Sequence, residues 1–118
     1  MLLDHRDSRP IYTQIIDHYR ELIAAGVLLP GEKLPSVREL AVELAINPNT
    51  IQRAYRTLEM EGWIATVPGK GCFACGSPSA LEKERERLLK TFDETASALL
   101  ALGVTPEALS QRIRKEET

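Results

Sequence analysis

Few of the residue types that carry chemistry are available to this chain. Two cysteines and two histidines are scattered over 118 residues. A structural zinc site takes about four ligands. Cys72 and Cys75 lie three apart, and His5 and His18 are far upstream. The pair therefore reads as small strand residues, with a metal or redox role as the alternative. No apolar run approaches the roughly 20 residues that span a bilayer. Residues 1–7 lack the long apolar core of a signal peptide, so a cytoplasmic protein without a membrane partner is the default expectation. No nucleophile–base arrangement or carboxylate pair at a cleft can be assembled. Gly69-Lys70-Gly71 is too short for a phosphate-binding loop. Neither an enzyme nor a cofactor is expected.

Charge of one sign is missing too. The formal net charge is −2, and the parts on either side of Gly76 are each slightly acidic by count. That excludes a generally basic nucleic-acid binder. Any DNA binding has to come from a local patch and to be salt-sensitive. Residues 45–58 provide such a patch, because they hold no Asp or Glu at all.

Within that stretch, Asn47 is a good N-cap and Pro48 suits the first helical position, where a missing N–H costs nothing. Ile51, Tyr55 and Leu58 then recur at spacings of four and three, which makes one apolar helical stripe. Asn49, Gln52, Arg53 and Arg56 fall on the opposite face, with amide and guanidinium groups suited to base edges and phosphates. The pattern predicts a DNA recognition helix.

The surroundings agree with it. A hydrophobic content of 43% suits a folded chain, and the length allows one ordinary domain plus an appendage. Ser8 is expected to cap a first helix with Pro10 in its opening turn. Ile11, Tyr12, Ile15, Ile16, Tyr19, Leu22 and Ile23 supply its apolar stripe, and Gly26 its stop. Arg6 and Arg9 read as solvated or as phosphate contacts. Lys33-Leu34 leaves room for only a very short strand. Ser36-Val37-Arg38-Glu39 is a capping box opening a second helix with Val37, Leu40, Ala41 and Leu44 inward. Arg38 in its first turn is either a surface or salt-bridged arginine, or a DNA contact where this helix crosses the backbone. Ala45-Ile46 makes the turn into the recognition helix. Glu59 and Glu61 are expected to be held away from DNA, and Gly62 to end the helix. Two β-prone runs around Pro68-Gly69-Lys70-Gly71 then predict a hairpin. Placed after a helix-turn-helix it is a wing, with Lys70 either a solvated loop residue or a hand on the adjacent groove.

Gly76-Ser77-Pro78 reads as a linker, and Ser79-Ala80-Leu81-Glu82 as a second capping box. Leu81, Leu88, Phe92, Leu99 and Leu102 sit on a four-and-three repeat, broadened by Leu89, Ala96 and Leu100. Gly103 stops this helix, and Thr105-Pro106-Glu107 starts a shorter one with Leu109 and Ile113 inward. Such a tail leaves an apolar face without a partner, and the simplest partner is the same tail of a second chain. The expected fold is mainly α with a small β wing. It comprises a winged helix-turn-helix over residues 1–76 and a two-helix dimerisation tail over residues 77–118.

The winged part resembles the GntR family of bacterial transcription regulators. The matching runs are Pro10-Ile11-Tyr12-x-Gln14-Ile15, Pro30-Gly31-x-x-Leu34-Pro35-Ser36-x-Arg38-x-Leu40-Ala41, Asn49-Thr50-x-x-x-Ala54-Tyr55-x-x-Leu58-x-x-x-Gly62 and Gly69-x-Gly71-x-Phe73. The short tail is similar to that of the small YtrA-type branch. The resemblance implies DNA contacts at Arg38, Asn49, Thr50, Gln52, Arg53, Lys70 and Gly71. Gln52 stands where many members carry a basic residue, and a glutamine amide pairs better with adenine than with guanine. Cys72 and Cys75 replace the commoner Thr and Val of the second wing strand.

The leading expectation is a homodimeric, sequence-specific repressor on a double-stranded DNA operator with inverted-repeat symmetry. One alternative is a regulator with a sensing site, for an unknown small-molecule effector or a metal, in the tail or at the wing cysteines. The other is a winged-helix module that binds protein.

Overall fold

A computed structural model describes residues 1–116. The element order is α1 (Ile11–Ala24), α2 (Val37–Leu44), α3 (Pro48–Met60), β1 (Ile64–Val67), β2 (Gly71–Ala74), α4 (Pro78–Ala101) and α5 (Pro106–Glu116). The fold is therefore mostly helical with one antiparallel hairpin, as the patterning predicts. No helix among the described residues is long and apolar enough to cross a membrane.

The chain divides into two compact units, Met1–Glu82 and the part from Lys83 onward. In the first, α1, α2 and α3 converge on a core in which Ile15, Leu40, Ile51 and Leu58 are fully buried. Each such side chain contributes about 1.5–3 kcal/mol relative to leaving it exposed. Tyr19 of α1 meets Tyr55 of α3 edge-on at 6.0 Å, an aromatic geometry that adds to burial. The Tyr55 hydroxyl donates to the Pro35 carbonyl at 2.7 Å, which seats α3 against the loop leading into α2. Burial pushes the Tyr55 phenol well above its ordinary range, so it remains a donor.

The helix ends follow local chemistry. At α2 the Ser36 hydroxyl accepts from the Glu39 amide and the Glu39 carboxylate accepts from the Ser36 amide, completing the capping box. At α3 the Asn47 side chain accepts from the Asn49 amide at 2.8 Å, with Pro48 in the first turn. Two predicted caps sit elsewhere. Helix α1 begins with Pro10 at its N-cap and no side-chain cap. Ser8 lies two residues before that N-cap, and it is the Asp7 side chain that accepts from the Arg9 amide at 2.9 Å. Helix α4 starts at Pro78, where the Ser77 hydroxyl accepts from the Ala80 amide at 3.2 Å. The expected box at Ser79 therefore falls inside the helix, and the linker shortens accordingly.

In the hairpin, Ile64 pairs with Ala74 and Val67 with Gly71. The short strand expected at Lys33-Leu34 appears as a bridge from Lys33 to Phe73, reinforced by the Leu34 amide on the Cys72 carbonyl at 2.9 Å. Gly62 joins α3 to this sheet with φ +86°, and a Cβ there would lie 2.5 Å from the Ser77 hydroxyl oxygen. The first turn of α4 belongs to this unit: Ala80 is buried and Leu81 packs against the core.

In the second unit, Leu99, Val104 and Leu109 are half-buried, whereas Leu88, Leu89, Phe92, Leu100, Leu102 and Ile113 are exposed. Ile113, expected inward, faces solvent at the far end of α5. The Thr105 hydroxyl caps that helix, accepting from the Ala108 amide at 3.1 Å.

Candidate nucleic-acid interface

The apolar stripe of α3 is consumed by the core, which dictates what the helix offers outward. Ile51, Ala54, Tyr55 and Leu58 are buried. Asn49, Gln52, Arg53 and Arg56 are all exposed and share one open surface. At about 100° per residue, the order across that surface is Gln52, Arg56, Asn49, Arg53, an arc of about 100°. Thr50 is half-buried at the start of the helix. Arg38, in the first turn of α2, is exposed and pairs with no carboxylate among the described residues.

One edge of the arc faces the wing. A groove of about 520 Å³ runs between α3 and the hairpin, with Gln52, Arg56, Glu59, Thr66 and Cys72 among its walls. Glu59, at the end of α3, reaches across to the hairpin. Its carboxylate accepts from the Thr66 hydroxyl at 3.2 Å and from the Thr66 amide at 3.4 Å, tying the end of α3 to β1. At the tip, the Lys70 amide donates to the Val67 carbonyl at 2.9 Å and closes the turn, and the Lys70 side chain is exposed. Gly71 is half-buried under the stem of Lys33: a Cβ at Gly71 would lie 2.8 Å from the Lys33 Cε. Lys33 therefore stands beside Lys70 as a second cation on this flank. By pattern alone Lys33 is no more than part of a short strand. The Pro-Gly turn before it and the Gly-x-Gly after it mark where the two backbones meet.

The other edge of the arc meets α1. The Arg53 guanidinium lies 3.9 Å above the centre of the Tyr12 ring, well within cation–π range. Tyr12, expected in the core stripe of α1 from its spacing, is half-buried. Arg9, open to a phosphate role from the sequence, is instead taken up by Asp7 and Asp17. Its guanidinium bond holds the Asp7 carboxyl below the usual carboxylate range.

Among the described residues, no group of three or more His, Cys, Asp or Glu side chains is placed to hold a metal ion. Cys72 and Cys75 are free thiols. Cys75 donates to the Gly62 carbonyl at 3.3 Å, and Cys72 contacts the Thr66 hydroxyl at 3.5 Å.

A buried-stripe helix with an acid-free outer arc, preceded by a tight turn and followed by a cationic hairpin, defines a regulator of the winged helix-turn-helix class. Residues 11–74 match the family model described as bacterial regulatory proteins, gntR family. The chain belongs to that family, whose relatives here are named as transcriptional regulators rather than enzymes. It is 52% identical over 71 residues to the HTH-type transcriptional repressor YtrA of Bacillus subtilis, a match covering 60% of this chain and 55% of that repressor's length. A GntR family transcriptional regulator from Listeria monocytogenes superposes with a TM-score of 0.74 at 38% identity, over 96% of this chain and 98% of that one. The DNA-binding domain of AraR in complex with operator ORE1 superposes with a TM-score of 0.54 at 28% identity, over 63% of this chain and 90% of that domain.

Proposed function

We propose that this regulator is a cytoplasmic repressor that binds an inverted-repeat operator in double-stranded DNA as a homodimer. Helix α3 lies in the major groove, and the wing grips the adjacent groove or backbone. The observation that carries the reading is the outer arc of α3. Gln52, Arg56, Asn49 and Arg53 present amides and guanidiniums together, exposed and without a carboxylate in residues 45–58. Amides in this setting suit adenine and guanidiniums suit guanine or phosphate, while Lys33 and Lys70 supply phosphate contacts that fix register. The similar AraR domain, solved in complex with an operator, supports operator binding by this chain. The similarity to YtrA, named a repressor, supports repression as its outcome.

The test is to select bound fragments from the host genome and then measure Arg56→Ala on the selected site. Arg56 sits near the middle of the arc, so its loss should weaken binding by about 1–3 kcal/mol and relax preference at one position of each half-site. Lys70→Ala should weaken all sequences alike and reduce the salt slope by about one. Undiminished binding by Arg56→Ala would remove α3 from the groove.

A further inference from the structure

We propose that Tyr12, a residue of α1, is a positioning residue of the DNA interface, holding the Arg53 guanidinium over its ring for strand contact. The proposal rests on the DNA-binding reading above. Three observations converge on it. Arg53 is exposed and pairs with no carboxylate among the described residues, yet it is not loose: its guanidinium stacks 3.9 Å above the Tyr12 ring. Arg53 occupies the extreme edge of the arc, on the side away from the wing groove that Gln52 and Arg56 line. Tyr12 is only half-buried, so its ring ends at the surface beside the arginine rather than vanishing into the core.

The physical consequence is preorganisation. A free arginine loses much rotamer freedom when it docks, whereas a guanidinium stacked on an aromatic face keeps its N–H fork available in the plane of the stack. The ring holds the guanidinium at the exposed surface, where its donors remain open to phosphate or base oxygens. Stacking on the α1 side also gives the arc a stop. The contact biases Arg53 towards the α1 side of the arc, away from the groove beside the wing. Tyr12 thereby couples the placement of α1 to the recognition surface without itself reading a base.

The test uses the full chain and the genomic fragment that the wild type selects. Tyr12→Leu removes the stack but keeps an apolar side chain. It should weaken binding about threefold to tenfold, the range expected from losing a cation–π contact together with its ordering of the arginine. Tyr12→Phe should restore binding to near wild type. The decisive arm is a double-mutant cycle: Tyr12→Leu added to Arg53→Ala should bind no worse than Arg53→Ala alone. A merely structural tyrosine would instead weaken both backgrounds equally, and that additivity overturns the proposal.

In the DNA-free wild type, the Arg53 Nε proton, assigned by its loss in Arg53→Lys, should resonate upfield of an ordinary arginine. An ordinary position there overturns the stack even if Tyr12→Leu fails to fold. A wild type that selects no fragment brings down the DNA reading and this one with it. A wild type that binds while a folded Tyr12→Leu binds equally well overturns the Tyr12 inference alone.

Discussion

Ala45 ends α2 with φ 55° and ψ 47°, the only non-glycine residue at positive φ among the described residues. A left-handed conformation costs an L-residue about 1–2 kcal/mol, while glycine loosens the unfolded chain by about 0.4–1 kcal/mol. Ala45→Gly is therefore expected to stabilise the protein by roughly 0.5–1 kcal/mol, read as a higher denaturant midpoint at unchanged slope. A lower midpoint would show that the turn does not strain this residue. At the same scale, local chemistry was legible wherever one residue sufficed. Asn47-Pro48 and Thr105-Pro106 each announced a helix start, and the structure starts helices there. Ser77-Pro78 is the same pair, but the Ser-x-x-Glu pattern at residues 79–82 distracted from it. The Ser77 amide bonds to the Gly62 carbonyl at 2.9 Å. That contact fixes the earlier start, and it spans fifteen positions that no local pattern reports.

Among the elements, the helices and hairpin were readable from period and turn signals, but the ties between them were not. Three ties decide how the interface is built: Glu59 to Thr66, Lys33 across Gly71, and Arg53 on Tyr12. Each joins residues on different elements, so side-chain periodicity is silent about all three. The first has a direct readout. The Thr66 amide points out of the hairpin to the Glu59 carboxylate, so Glu59→Ala should speed its hydrogen exchange about twofold to tenfold, the effect of one modest hydrogen bond. The amides that pair β1 with β2 should change little. Unaltered exchange at Thr66 would mean the wing is held by its own sheet alone.

At the scale of the whole molecule, the residues after Lys83 carry exposed Leu88, Leu89, Phe92, Leu100 and Ile113. Apolar exposure at helical spacing marks an interaction face, and it is the face that the proposed homodimer would cover with a second copy of the chain. Leu81 joins this face least, since it packs against the winged core, and Leu99 is already half-buried. Phe92→Asp is expected to sediment as a monomer with helicity intact, and to bind a two-half-site fragment no better than a single half-site. A mutant that still sediments as a dimer would relocate the interface. The net charge of −2 has its own consequence once the acid-free arc of α3 is in place. With no net positive charge to draw a polyanion in at large, the proposed binding has to come from that arc. On the proposed function, binding to random genomic DNA should therefore be modest and fall steeply with salt. The proposed regulator's occupancy would then follow the number of true sites rather than the bulk of the chromosome.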